Sequence, residues 1–226
     1  ASIVNLLGDI IKAATLPLYP EETPSSILSK LFTLVDELTS EEISPNLWAI
    51  GVSAMGPVNS ETGEYRPVYY LNKLAVVKVK EALSSRYGLP TFMDNDMNVL
   101  ALAEKYYGNA KPFSSFIELG SSIGLGCGVV MLNQLHSGSQ GNGPEIGHVT
   151  VHADGEKCYC GNVGCLEMYA AIPNIVSWPK STAKHQAAAC HINNWPALLE
   201  GALSGQKLCK AAIARMIHYR GISMVT

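Results

Sequence analysis

Apolar positions along this chain recur with two periods, one helical and one strand-like. Ile27, Leu28, Leu31, Leu34, Val35 and Leu38 fall at helical spacing. That stripe predicts an amphipathic helix over Ile27–Thr39, started by Thr23-Pro24-Ser25-Ser26. Leu74–Tyr87 predicts a second one, closed by Gly88 as a C-cap. Met97–Tyr107 is apolar and alanine-rich, the pattern of a buried helix, and Trp195–Leu203 and Lys207–Tyr219 are periodic again on either side of Gly205. Strand-type runs lie between these segments. Ser2–Ile11 reads as strand, glycine-containing turn, strand; Leu47–Val52, Leu89–Met93 and Ser114–Leu119 are single strands. Val129–Leu132 with Asn133-Gln134 predicts a hairpin. Pro17, Pro20 and Pro24 mark one loop, Asn59–Gly63 a turn and Ser137–Gly143 another loop. This interleaving is that of a mixed α/β protein, and no internal repeat or low-complexity segment stands out.

Composition changes this picture little. With 226 residues, 47% hydrophobic and 15% charged, the chain is long enough for a substantial core and reads as an ordinary globular protein. A net charge of −3 gives no electrostatic reason to bind nucleic acid through these residues. No apolar run is long enough to span a membrane and the start shows no signal-peptide pattern. The expectation is a cytoplasmic protein with no membrane partner. Six cysteines, three of them clustered, fit a reducing compartment better than a disulfide framework.

The clustered cysteines carry the chemistry. Cys158-x-Cys160-x4-Cys165, with His148 ten residues before the first of them, offers three thiolates and an imidazole. That is the donor set of a closed, four-coordinate zinc site. Gly155, Gly161 and Gly164 let so short a loop turn its sulfurs to one point, and a metal knot there would draw Glu145 and Glu167 together. The alternative is three unrelated buried thiols. Cys127, Cys190 and Cys209 have the default role of small buried apolar residues. His185, His191 and His218 show no partner pattern and read as surface or satisfied histidines, while His136 and His152 lie closer to the cluster.

Two further segments sit where α/β proteins collect ligands. Asn95 and Asp96 fall between a strand and a helix, an edge that binds ligands; equally, Asp94 or Asp96 could be only a helix N-cap. Gly120-Ser121-Ser122-Ile123-Gly124-Leu125-Gly126-Cys127-Gly128 follows a strand and could bring backbone N–H groups to a phosphate. A glycine-rich hairpin bend with no ligand explains that stretch as well.

Taken together, Glu145-Ile146-Gly147-His148, the cysteine motif through Gly164-Cys165-Leu166-Glu167, Asn95-Asp96-x-Asn98, Gly51-Val52…Gly56-Pro57-Val58 and Gly120…Gly124…Gly126 resemble the ROK family. It groups bacterial sugar kinases with sugar-responsive transcriptional repressors, and the similarity runs from about residue 2 to the end. The resemblance implies an α/β fold of the actin-like, hexokinase type (ribonuclease H-like), with two lobes and the sugar in their cleft. The lobes are expected at 1–92 and 93–226. A structural Zn2+ held by His148, Cys158, Cys160 and Cys165 would shape the pocket. Asn95, Asp96, Glu145, His148 and Glu167 would meet the hydroxyls of a sugar or sugar phosphate. Carboxylates and an amide suit vicinal hydroxyls, because each accepts or donates two bonds in a fixed plane. In a kinase, Asp96 would be the catalytic base and ATP with Mg2+ the co-substrate.

Two departures favour a regulator. The family's kinases carry an Asp-x-Gly-Gly-Thr type phosphate loop on a first strand, before the point where residue 1 aligns, and adenosine-holding segments beyond the point where this sequence stops. The fold is therefore expected to be truncated at both ends. The second phosphate loop usually reads Gly-Thr-Gly-Ile-Gly, whereas Ser121 and Ser122 stand in the middle here. The resemblance thus points to the sugar-binding domain of a NagC/XylR-type regulator, with a partial sugar kinase as the alternative. It implies a homo-oligomer, dimer or tetramer, and DNA binding only through a helix-turn-helix absent from these residues.

Overall fold

A computed structural model describes residues 1–19, 21–39, 46–65, 75–138, 143–182 and 192–225. Pro20, Leu74, His185, Cys190, His191 and residues 139–142 lie outside that set. The chain forms two compact units, one of Ala1–Glu118 with Gly128–Gly143 and one of Leu119–Cys127 with Pro144–Thr226.

The first unit opens with an antiparallel hairpin of β1 (Ser2–Val4) and β2 (Ile10–Ala13). Helix α1 (Pro24–Leu38) starts where the sequence signals place it. The Ser26 N–H donates to Thr23 Oγ1 at 3.1 Å and the Thr23 N–H to Ser26 Oγ at 2.8 Å, a reciprocal capping box that satisfies two orphan donors. Strand β3 (Ile50–Ala54) then precedes a small antiparallel sheet of β4 (Val58–Asn59), β5 (Glu64–Tyr65) and β6 (Val77–Lys78). The helix expected from Leu74 begins only at Val79, as α2 (Val79–Tyr87). Val77 is the reason: its side chain is buried and its backbone pairs with Tyr65, so tertiary pairing overrides the helical stripe.

Strand β7 (Thr91–Asn95) lies parallel to β3, in register from Ile50↔Thr91 to Ala54↔Asn95. That pairing keeps β7 and the following helix α3 (Asp96–Tyr106) in the first unit, which therefore extends past residue 92. Val58, Val77, Val79, Leu83 and Met93 form its buried core, with Leu28, Leu31, Phe32 and Val35 of α1 packed against them. Only Asn98 and Ala101 of α3 are buried, so this helix is less enclosed than its alanine-rich sequence suggests.

Strands β8 (Phe116–Ser121), β9 (Leu125–Met131) and β10 (Gln134–Leu135) form one sheet in the order β10-β9-β8. The boundary between the units falls within β8 and β9. Leu132 and Asn133 both adopt positive φ in the turn before β10. Gly126 and Gly128 are strand residues of β9, so the glycine-rich stretch is a hairpin with a short bend over 122–124.

In the second unit a single 3₁₀ turn, Ile146–His148, leads into the cysteine loop and then into α4 (Leu166–Ala170), α5 (Ile172–Thr182), α6 (Trp195–Leu203) and α7 (Lys207–Val225). Its core joins Leu125 to Leu166, Ala170, Ile175, Leu198, Cys209, Ala212 and Met216. Cys209 takes the role expected of a small buried residue, and α7 packs against the three other helices. Among the described residues, no helix is long and apolar enough to cross a membrane.

Candidate metal centre and ligand residues

The cysteine loop is knitted by its own backbone. The Val151 N–H donates to Gly164 O at 2.9 Å, Leu166 N–H to Val149 O at 2.9 Å, and Cys158 N–H to Asn162 O at 2.8 Å. Gly164 has φ of +75°, and a Cβ there would overlap the carbonyl of His152, so the chain can return past that carbonyl only without a side chain. These bonds place His148, Cys158, Cys160 and Cys165 so that their donor atoms all lie within 4.8 Å of one another. Cys158 Sγ is 3.6 Å from His148 Nδ1, and the sulfurs of Cys160 and Cys165 are 3.7 Å apart.

This arrangement fits a tetrahedral dication. With metal–sulfur bonds of about 2.3 Å, sulfur atoms on the corners of a tetrahedron sit about 3.8 Å apart. Two of the three thiols are weak acids on their own: burial and then the neighbouring cysteines push Cys165 up to about 12. Burial also raises Cys158, while the Asn162 backbone N–H lowers Cys160. A coordinated dication overrides all three tendencies, because a ligating thiol is deprotonated outright. Cys158 and Cys165 are buried and Cys160 is exposed. His152 is not one of the donors; its ring lies against Tyr169 and Tyr219 instead. His136 is exposed, and its backbone N–H donates to Val129 O.

Glu145 and Glu167 flank this centre in different environments. Glu145 is exposed and begins the turn that ends at His148, whose N–H donates to Glu145 O at 3.0 Å. Glu167 is buried at 5% exposure on α4, and its Oε2 accepts the Leu125 N–H at 3.0 Å. A Cβ on Gly147 would overlap the Leu125 carbonyl and approach Glu167 Oε2, so glycine is what lets the Ile146–His148 turn lie against β9.

Asn95 and Asp96 belong to the first unit. Asn95, not either aspartate, is the N-cap of α3: its Oδ1 accepts the Met97 N–H at 2.9 Å and its Nδ2 donates to Gly56 O at 3.2 Å. The amide's pairing of an acceptor with a donor explains the choice, since an ionised aspartate could not also donate to Gly56. Asp94 Oδ1 accepts from the Asn95 N–H at 2.7 Å and Asn98 Nδ2 at 2.8 Å. That leaves Asp96 half-buried on the first turn of α3. Burial pushes its carboxyl above the ordinary aspartate value, against the opposing backbone N–H groups of Met97 and Asp96 itself.

The glycine-rich bend turns in on itself. The Ser122 N–H donates to Gly124 O at 2.9 Å, and Ser121 Oγ donates to Ala170 O at 3.3 Å. Ser122 is not among the non-glycine residues with positive φ. Residues that the sequence did not single out surround the metal loop as well. The Glu156 N–H donates to Tyr169 Oη at 2.6 Å, and Glu156 pairs with Arg215 at 2.7 Å. The Arg215 guanidinium also lies over the rings of Tyr169 and Trp178.

A model of the ROK family matches residues 1–224. The xylose repressor of Caldicellulosiruptor bescii is 27% identical over 97% of this chain and 57% of its own length. A solved ROK family transcriptional regulator, a homologue of the E. coli MLC protein, superposes with a TM-score of 0.85 at 25% identity, over 99% of this chain and 57% of that one. A ROK glucokinase from Streptomyces griseus, solved with glucose and AMPPNP, superposes with a TM-score of 0.80 at 22% identity, over 99% of this chain and 73% of that one. The chain spans little more than half the length of the curated repressors it matches. The fold is the α/β, actin-like hexokinase type, shared by regulators and kinases alike.

Proposed function

Because this chain belongs to the ROK family, we propose that it is the sugar-sensing domain of a ROK transcriptional regulator. The observation that carries the preference over a kinase is the bend over 122–124. Its Ser122 N–H and the Ser121 hydroxyl are both used within the protein rather than presented to a phosphate. Phosphoryl transfer depends on such preorganised donors, and losing one costs on the order of 10² to 10³ in rate.

The ligand is a sugar or sugar phosphate, met by Asn95, Asp96, Glu145, His148 and Glu167. The ion is Zn2+, bound by His148 Nδ1 and the sulfurs of Cys158, Cys160 and Cys165. Bound there, it supplies no chemistry beyond fixing the loop and the orientation of the His148 ring. Nδ1 ligation leaves the proton on Nε2, so the metal also sets which tautomer a ligand meets. DNA binding would come from a segment outside these residues, in a cytoplasmic homo-oligomer.

A sugar kinase is the second reading, and the raised Asp96 carboxyl is what favours it, since a base is most effective with its pKa near the working pH. The two are separated by incubating the full-length protein with ATP, Mg2+ and a panel of hexoses. A regulator releases no ADP above background. Turnover that disappears in Asp96→Asn establishes the kinase instead.

A further inference from the structure

Tyr159 lies in sequence between two of the sulfur donors, Cys158 and Cys160, and reaches back to the one nitrogen donor, His148. Its phenol oxygen is 3.5 Å from His148 Nε2. The two rings stand edge to face, with centroids 5.3 Å apart and planes at 87°. The opposite ring nitrogen, Nδ1, faces the Cys158 sulfur. With Nδ1 on the metal, Nε2 carries the proton, and a metal-ligating imidazole commonly passes that N–H to a fixed acceptor. The Tyr159 hydroxyl is in the place of that acceptor.

On the proposed function, the same Nε2–H is the group that His148 offers to a sugar hydroxyl. One N–H cannot serve both acceptors at full strength. A 3.5 Å contact is at the outer limit of a hydrogen bond and is easily exchanged. Tyr159 is 42% exposed, so its contact with His148 is open to solvent.

We propose that Tyr159 is a positioning residue that holds the His148 Nε2–H while no ligand is bound and yields it to a ligand hydroxyl. Its phenol then competes with the sugar and lowers the sugar's apparent affinity. The first half concerns the metal loop alone; the second rests on the sugar-sensing reading. A ring that merely covers the imidazole would act through packing, and a phenylalanine would do the same.

Tyr159→Phe separates these cases because it keeps the ring and removes the oxygen. The first measurement uses zinc-loaded, sugar-free full-length protein with 15N-labelled histidine, and follows solvent exchange of the His148 Nε2 proton by NMR. Several-fold faster exchange in Tyr159→Phe is expected, and equal exchange overturns the proposal. The second is calorimetry with a hexose that the wild type binds. The loss of a weak competing hydrogen bond should tighten binding by about 2- to 5-fold in Tyr159→Phe. Unchanged or weaker binding overturns the competition. A wild type that binds no hexose, N-acetylhexosamine or sugar phosphate refutes the sugar reading and the competition with it, while proton exchange still decides whether Tyr159 holds His148.

Discussion

Glu167 Oε2 accepts the Leu125 N–H at 3.0 Å, tying the carboxylate proposed to meet the ligand to the backbone of β9. One oxygen of a proposed binding residue is thus already engaged in holding the fold. Glu145, by contrast, is exposed. Glu167→Ala should therefore lower stability by about 1–3 kcal/mol, because it leaves a buried N–H unpaired. Glu145→Ala should leave stability within about 0.5 kcal/mol of wild type. Urea titration of both variants is the check, and equal effects would contradict the environments described for the two carboxylates.

The zinc assignment makes a stoichiometric prediction. Protein purified without chelator should hold one zinc per chain, and Cys160→Ser should lose it. Cys160 is the informative ligand because it is exposed, so its substitution creates no cavity. Structural zinc binding is folding free energy, so chelation should lower the melting temperature of wild type and leave Cys160→Ser unchanged. Metal analysis with thermal melts decides it; full zinc in the variant would remove the ligand assignment.

The clasp between the metal loop and α7 should be asymmetric. Glu156 contributes an ion pair with a half-exposed carboxylate, worth under about 1 kcal/mol. Arg215 contributes that pair and also stacks over Tyr169 and Trp178. Arg215→Ala should cost about 1–2 kcal/mol, because cation–π contacts and packing go with the charge. Glu156→Ala should cost less than half of that. Denaturant midpoints of the two variants test the order.

Asp96 gives the pH dependence a sign. Burial raises its carboxyl above the ordinary value of 3.8. As an acceptor for a sugar hydroxyl it must be ionised, so affinity should fall as pH drops through the raised value, earlier than for an ordinary aspartate. The stability effect runs the other way. A raised carboxyl favours the fold below its ordinary value, and that contribution is lost as pH rises through the folded value. Asp96→Asn should flatten both profiles, with affinity reduced at pH values where the wild-type carboxylate is ionised; unchanged profiles would show that Asp96 sets neither.

Much of this was legible in the sequence, and what was not has physical causes. The spacing of His148, Cys158, Cys160 and Cys165 carries the donor cluster because few residues separate the ligands and glycine turns the loop. The start of α1 was equally plain, since the capping residues are local to it. Where distant pairing decides, the pattern misled. Val77 joins β6 because Tyr65 lies beside it, not because of its neighbours in sequence. The cap of α3 fell to Asn95 because an amide, unlike a carboxylate, can serve Met97 and Gly56 at once. Tyr159 and Arg215 carry no motif; their roles come from a fold that sets one against His148 and the other against Glu156.

The most direct test of the sugar-sensing account is calorimetric titration of the zinc-loaded full-length protein with free hexoses, N-acetylhexosamines and their 6-phosphates, on wild type and Glu145→Ala. At least one sugar should bind wild type, and Glu145→Ala should weaken it by about 5- to 150-fold, the equivalent of 1–3 kcal/mol for a lost charged contact. A sugar bound equally well by both proteins would place the pocket elsewhere, and a wild type that binds none of them would contradict the account outright.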